Sequence, residues 1–398
     1  MTTLSAPRSG VNLTSVRSIG TTRTPVEAPA SDVVAIVLAG TYHSTDSTFL
    51  GSLPRPLVPV AQVPVVGYVL RWLSDADVAR ATICANRGSR AIESCVGDGA
   101  NLSMQLDYME DATPRGPAGC ARDAAMKHTA DTFVVVDGTV IPDFDLRLLL
   151  DAHRASGATV TAVVHDSAGS NGAGGARSVS PAGIYAFSRC AFDALSPHGF
   201  QDIKEHLIPS LRRQGQRVMA FHSPQFCPRV LNAETYLAVN HWTIERISTH
   251  PNIFERWGPY AVTGEVASHH TAHIHSTARI VGPVILGEGV SIGANAVIVG
   301  PTSIGPRTRV GADALVCRSV LWSASDVGEG SFVDASVIGD GFIVPAHGAI
   351  HGEVKMNRLK SDAKRWRRVP ALPGVQPAPV PKTAAARLGA AWHFPEPF

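Results

Sequence analysis

From Asp32 onward the chain shows two textures of apolar and polar positions, and they predict two architectures. Val33-Val34-Ala35-Ile36-Val37-Leu38 is a continuous apolar run that ends at Ala39-Gly40. Such a run, closed by glycine, predicts a parallel strand buried on both faces and feeding a loop. Val65 to Leu73 has helical spacing, and Ala81 to Ala85 reads as the next strand. Ala91 to Val96 predicts a helix that stops at Gly97-Asp98-Gly99, Leu106 to Tyr108 a short strand, and Cys120 to His128 a helix. Thr132 to Val136 is the clearest central strand. Asp143 or Asp145 then caps a helix through Leu146 to His153, and Thr159 to Val164 is a further strand. Strand and helix alternate throughout, which predicts an α/β domain of three layers around a mostly parallel sheet.

Beyond Ile274 the period changes. Ile274, Ile280, Leu286, Ile292, Ile298, Ile304, Val310 and Val316 recur every six residues, with glycine directly after four of them, at Gly287, Gly293, Gly305 and Gly311. No helix has this period, and it is too regular for a sandwich. Each hexad predicts one flat face of a triangular coil, with an aliphatic side chain inward and a small residue at the turn, hence a left-handed parallel β-helix of about four coils. The phase slips near Leu321-Trp322, which reads as an insertion, and resumes at Val327 and Val333. A prism of this kind buries little per coil, so assembly with another chain through it is expected.

Composition narrows the class. The 398 residues are 44 % hydrophobic and 17 % charged, enough for two packed cores, and the net charge of +2 provides no basic field for nucleic acid. The apolar runs are too short to span a bilayer. Six cysteines stand scattered without paired spacing, which excludes a zinc ribbon or disulfide scaffold and fits a reducing cytoplasm. The expected organisation is a disordered Ser/Thr/Arg-rich leader (1–31), an α/β domain (32–245), a connector holding Trp257 and Tyr260 (246–272), the β-helix (273–354) and a basic, Pro/Ala-rich tail (355–398).

The α/β region resembles the sugar-nucleotide pyrophosphorylases, which join a nucleoside triphosphate to a sugar 1-phosphate, and among them the mannose-1-phosphate guanylyltransferase subtype with a hexapeptide prism. Leu38-Ala39-Gly40 and Pro54-Arg55-Pro56-Leu57-Val58-Pro59-Val60 match that family's opening L-A-G-G-x-G-T-R and P-K-P-L-x-P-V motifs at the same separation. Gly97-Asp98-Gly99, Tyr108-Met109-Glu110, Pro114-Arg115-Gly116-Pro117-Ala118-Gly119, Ala182-Gly183-Ile184-Tyr185-Ala186-Phe187, Asp202 to Pro209 and Thr235-Tyr236-Leu237 match further motifs in the family's order. The resemblance covers roughly residues 33–352. It implies nucleotide contacts at Leu38, Ala39, Gly40, Gly116 and Asp137, a sugar contact at Gly183, and Mg²⁺ as cofactor wherever the chain is catalytic.

The departures from that pattern fall on the reactive parts. Thr41-Tyr42-His43-Ser44-Thr45-Asp46 replaces the glycine cradle and its arginine, so bulky side chains and an added negative charge stand where phosphates would lie. Thr139 stands at the first metal-binding aspartate and Arg229 at the second. The stretch between His165 and Pro181 is too short for the segment that clamps the sugar and its phosphate. Nucleotidyl transfer consists almost wholly of positioning and charge neutralisation, and losing one placed donor costs about 10²–10³ in rate. The expectation is therefore a non-catalytic homologue that requires no metal, binds a nucleotide sugar, and regulates or scaffolds an active pyrophosphorylase relative. The alternative is an active nucleotidyltransferase, GDP-mannose-like in product, rebuilt around Arg55, Asp137 and Lys204.

Each of these residues also has a plainer reading. Asp143-x-Asp145 resembles a glycosyltransferase metal motif, but helix capping explains it. Arg55 is either a phosphate contact or a solvated loop cation, and Lys204 is a structural or surface lysine. His269, His270, His273 and His275 gather at the mouth of the prism without carboxylate or thiolate partners and read as a surface cluster. Lys364-Arg365-Trp366-Arg367-Arg368 reads as a solvated tail.

Overall fold

A central sheet flanked on both faces by helices leads through one long helix to a three-sided prism. The computed structural model describes residues 33–40, 53–85, 89–110, 115–166, 179–249 and 260–357. The expected leader, the 41–46 loop, the 167–178 stretch, Trp257 and the basic cluster at 364–368 lie outside the described residues.

The first domain contains β1 (Val33–Leu38), a two-stranded hairpin of β2 (Pro59–Val60) and β3 (Val63–Pro64), then α1 (Val65–Asp75), β4 (Arg80–Ala85), α2 (Ser89–Val96), β5 (Gln105–Glu110), α3 (Gly116–Ala125) and β6 (Thr132–Asp137). It continues through α4 (Leu146–Ser156), β7 (Val160–Asp166), β8 (Val179–Ser188), a π-turn over Ile203–Leu207, α5 (Ile208–Arg213), β9 (Val218–His222) and α6 (Ala233–Thr249). The seven-stranded sheet runs β5-β4-β1-β6-β8-β7-β9, and β8 alone is antiparallel to its neighbours.

Strand alternation sorts β1 into two cores. Val33, Ala35 and Val37 pack with α1, α2 and α4, whereas Val34, Ile36 and Leu38 pack with α3 and α5. This is why the strand reads as unbroken apolar sequence: both faces are covered. Local signals set the helix ends. The Asp145 carboxylate caps α4 by accepting the Arg147 amide at 2.9 Å, and Gly157 closes the helix in the left-handed region at φ 59°. Asp143, the other half of the D-x-D pattern, pairs instead with Arg246 of α6 at 2.9 Å.

One helix is displaced from expectation. Its sequence predicted Cys120 to His128, but α3 begins at Gly116, where Pro117 presets the first turn, and ends at Ala125. Small residues (Ala118, Ala121, Ala124, Ala125) form its buried face and let it lie close to the sheet, a face that aliphatic spacing does not reveal.

The prism consists of three parallel sheets. Two have five strands each; the third continues from a hairpin, Tyr260–Thr263 with Val266–His269, into five further strands. Five coils are therefore present, one more than the hexads suggested. The phase slip is a loss and not an insertion. Ile292 pairs with Val310, 18 positions on, but Val310 pairs with Val327, only 17 positions on. The missing residue lies at one corner, where Val299 to Ser303 becomes Cys317 to Val320. Later coils keep the shorter corner, and the inward column Ile298, Val316, Val333 and Ile350 is uninterrupted. The post-aliphatic glycines serve stacking: a Cβ on Gly311 would meet the backbone of Gly328 and Glu329 in the next coil at 2.7–2.8 Å.

A separate apolar cluster joins the two parts. Val58, Val60, Tyr236, Val239 and Ile244 from the first domain meet Ile285, Val320, Trp322 and Val337 from the prism. Trp322 Nε1 donates to the Tyr236 hydroxyl (2.8 Å), which donates to the Pro59 carbonyl (2.6 Å). The Gln62 amide donates to the Ile304 carbonyl (2.9 Å) and its oxygen accepts from the Tyr260 hydroxyl (3.0 Å). The segment that carries the P-R-P-L motif is thereby clamped against the prism. The range 246–272 holds the end of α6 and the entry hairpin.

Candidate functional site

The carboxyl ends of β1 and β6 lie side by side where the sheet order turns back, the place where open α/β sheets form a ligand crevice. Leu38 sits opposite Asp137 in the register, and the Leu38 carbonyl accepts the Gly138 amide at 2.9 Å. Ala39 is held by the Cys84 carbonyl at 2.7 Å. A Cβ on Gly138 would reach to within 3.4 Å of both Ala39 and Pro56, so the turn containing half-buried Arg55 closes over this end of β6. Gly116 lies at the start of α3 with φ 75°, where any side chain would run into the Gln201 carbonyl.

Asp137 is the centre of the arrangement. Its Oδ1 accepts the amide (2.9 Å) and the hydroxyl (2.7 Å) of Thr139, and its Oδ2 pairs with the Arg229 guanidinium. Backbone pairing fixes the partner: Val140 bridges Arg229, the Ile141 amide donates to the Pro228 carbonyl (2.9 Å), and the Val230 amide donates to the Thr139 carbonyl (3.0 Å). Gly183 enters from β8 at φ 83°. A Cβ there would lie 3.2 Å from Asp137 Cβ and 3.3 Å from Arg229 Cζ, so only glycine leaves room for the guanidinium. Both side chains of the ion pair are about a quarter exposed, 23 % for Arg229 and 27 % for Asp137.

Lys204 belongs to the same neighbourhood. The residue is exposed, yet partial desolvation and then the Arg229 charge hold its ammonium below the ordinary lysine pKa, against Asp202 and Asp137. Asp202 is already engaged: its Oδ1 accepts the amides of Lys204 (2.6 Å) and Glu205 (3.0 Å). Burial pushes the Tyr185 phenol well above its usual value, so it stays protonated beside these charges. At the rim, His165 Nε2 accepts the Cys227 amide (3.2 Å), and burial lowers the imidazole pKa, consistent with a neutral acceptor.

This donor set does not suit a divalent cation. Mg²⁺ takes hard oxygen ligands in an octahedron, and here the Asp137 carboxylate is already paired while a guanidinium stands where a second would be. No group of three or more His, Cys, Asp or Glu side chains poised for a metal occurs among the described residues. At the prism mouth, His269 and His275 bond instead to Thr271 and Thr277. None of the six cysteines forms a disulfide.

Comparison with known proteins agrees with the fold. The Nucleotidyl transferase family matches residues 51–180, and the Bacterial transferase hexapeptide family, as six repeats, matches residues 283–318. The chain joins a nucleotidyltransferase-like α/β domain to hexapeptide-repeat parallel strands consistent with a β-helix. A mannose-1-phosphate guanylyltransferase of Mycobacterium tuberculosis is 24 % identical over 281 residues, covering 66 % of this chain and 77 % of the relative. A D-glycero-alpha-D-manno-heptose 1-phosphate guanylyltransferase of Aneurinibacillus thermoaerophilus is 23 % identical over 127 residues, 32 % of this chain and 55 % of that protein. A mannose-1-phosphate guanylyltransferase catalytic subunit beta of Drosophila pseudoobscura pseudoobscura is 27 % identical over 133 residues, 33 % and 36 % of the respective chains.

The nucleotidyltransferase-like domain thus brings Asp137, Gly183 and Arg229 together beside Leu38 and Ala39 at the ends of β1 and β6, with Lys204 in electrostatic reach of Asp137 and Arg229. Gly116 sits at the neighbouring α3 start, against the backbone of Gln201, the residue preceding Asp202. Sequence reasoning marked Thr139 and Arg229 as departures but did not foresee that they would bind the same carboxylate. The available signal was compensation: an arginine at one acidic position with an aspartate two residues before the other. Buried Tyr185 was missed because its motif reads as plain strand.

Proposed function

We propose that this chain is a non-catalytic homologue of the NDP-sugar nucleotidyltransferases, which holds a nucleotide sugar in the cytoplasm and regulates or scaffolds an active relative, with the prism as an assembly surface. One observation carries the reading: both oxygens of Asp137 are engaged by Thr139 and Arg229, at the place where the family resemblance implies metal carboxylates. A triphosphate and a sugar 1-phosphate repel each other, and their reaction needs that charge neutralised in line. Without the metal ligands the chain retains a crevice for binding and lacks the means of bringing the two anions together.

The test is magnesium-dependent pyrophosphate release by the full chain, across nucleoside triphosphates and common hexose 1-phosphates, with the Mycobacterium tuberculosis relative as positive control. No release above background is expected. Turnover near about 1 s⁻¹, the low end of ordinary enzyme rates, would overturn the proposal. The depressed Lys204 ammonium near Asp137 favours a second reading, a rebuilt site using Arg55, Asp137 and Lys204. In that case Asp137→Ala should abolish the release, and survival of activity in the variant would remove this reading.

A further inference from the structure

The junction between the two domains has a gap in its packing. On the prism face that meets the first domain, Ile285, Ser303, Val320 and Val337 stack in register, one per coil. The three aliphatic members belong to the junction cluster, whereas Ser303, only 1 % exposed, is too short to fill its place. Beside it lies a groove of about 430 Å³, part of it open to solvent. Leu57, Pro59 and Gln62 wall the groove from the first domain, and Pro306, Trp322 and Asp340 from the prism. Because part of the volume is open, the enclosed remainder suits one side chain better than a free metabolite.

We infer that the chain's own C-terminal segment fills this groove, with Trp366 of Lys364-Arg365-Trp366-Arg367-Arg368 as the seated side chain. The inference is independent of the nucleotide-sugar reading above. The point where the chain leaves the described residues selects this occupant. Around the last strand (Val354–Lys355), Val354 and Met356 pack on the junction cluster, and the Asn357 side-chain amide donates to the Asp340 carbonyl at 2.8 Å. Asp340 lines the groove, so the segment departs from the groove's own wall. Trp366 follows Asn357 by nine positions, which span up to about 30 Å when extended and leave ample length to turn back. So short a tether presents the ring at an effective concentration of about 1 mM, and an intrinsic dissociation constant of about 0.1 mM then leaves it docked about ten to one.

The chemistry of the groove fits an indole flanked by cations. Its walls are mainly leucine, proline, valine and tryptophan, and Trp366 is the first aromatic side chain beyond Asn357. An indole N–H needs an acceptor when buried, and the groove offers the hydroxyls of Ser303 and Ser323 and the Asp340 carboxylate. Asp340 is the one ionisable side chain among the described lining residues, which suits neighbouring lysine and arginine better than an acidic partner. Docking here acts as a strap. Leu57 and Pro59 belong to the same short segment as Pro56, which stands over Gly138 next to Asp137. Seating the ring braces the segment that closes over the crevice, and its release loosens that segment.

The experiment is fluorine NMR of the full chain labelled with 5-fluorotryptophan, with Trp366→Phe to assign the resonance and a soluble gadolinium chelate to report exposure. Broadening of the Trp366 signal should be at least about threefold weaker in the wild type than in Ser303→Leu, which fills the groove; the open edge keeps this below the docking ratio. Leucine at 303 continues the aliphatic column of Ile285 and Val320, and an unchanged Trp72 resonance reports that the variant is folded. Trp366→Ala, which alters nothing in the described fold, provides a second variant: amide exchange across residues 54–60 should quicken severalfold. Equal broadening of Trp366 in the wild type and Ser303→Leu, or unaltered exchange in Trp366→Ala, would overturn the inference. Protection of Trp366 that disappears on dilution would overturn it as well, because the ring would then sit in a second copy of the chain.

Discussion

The contact between Trp322 and Tyr236 allows a quantitative test of how the two domains are joined. Trp322 is 4 % exposed, packs edge-on against Tyr236 with ring centroids 6.3 Å apart, and donates to its hydroxyl. Trp322→Ala removes a large side chain from a closed apolar cluster, a change that costs about 3–5 kcal/mol. The cost should fall on the junction. The prism and the two faces of the first domain keep separate clusters that do not include this residue. Urea unfolding of the wild type should show coupled domains, whereas the alanine variant should show two transitions, the earlier one displaced by that amount. Trp322→Phe and Tyr236→Phe preserve the ring contact and remove one partner each of the hydrogen bond. Their double-mutant cycle should return a coupling of about 1 kcal/mol. A single transition with unchanged midpoint in Trp322→Ala, together with zero coupling in the cycle, would refute the junction as argued.

Three further outcomes are expected. Gly116→Ala should destabilise the first domain by about 2 kcal/mol or more in urea melts, because φ 75° is costly for any side chain and the Gln201 carbonyl blocks it; a neutral result would mean the α3 start relaxes freely. Stability should fall as pH drops below about 6.5: burial lowers the pKa of His153, which is tied to Thr161 (2.9 Å) and Ser188 (3.1 Å), so the unfolded chain takes up the proton first. His128 and His241 shift in the same direction, and urea midpoints that rise on acidification would contradict this sign. Arg318→Ala should destabilise the prism, because burial raises the Asp334 carboxyl and Arg318, then His351, bring it below its ordinary value. That contribution is present above about pH 4 and is lost as pH falls through the depressed value, so the variant and wild type should converge in acid.

Most of the scaffold was legible because burial writes itself into the sequence. A strand covered on both faces must be apolar throughout, as Val33 to Leu38 is, and a prism face must place one aliphatic residue inward per coil. The start of α3 was not legible, because its buried face consists of alanines that carry little hydropathy contrast. The phase slip was misread as an insertion because the letters lose their six-residue frame between Cys317 and Val320 although the strands do not. The same change marks the end of the recognised repeats, since the family match stops at residue 318. For the site, sequence identified each altered position one at a time. Their joint meaning depends on an antiparallel bridge between Val140 and Arg229, a contact across 89 positions that no local pattern encodes.

The shortened corner of the prism has an evolutionary consequence. Deleting one codon within a face would turn every later inward side chain outward, because alternate residues point to opposite sides of a strand. Deleting it at a corner leaves all three sheets paired, as the unbroken column from Ile298 to Ile350 records. Changes of length in this domain are therefore expected to be tolerated at corners and to disrupt the fold within faces.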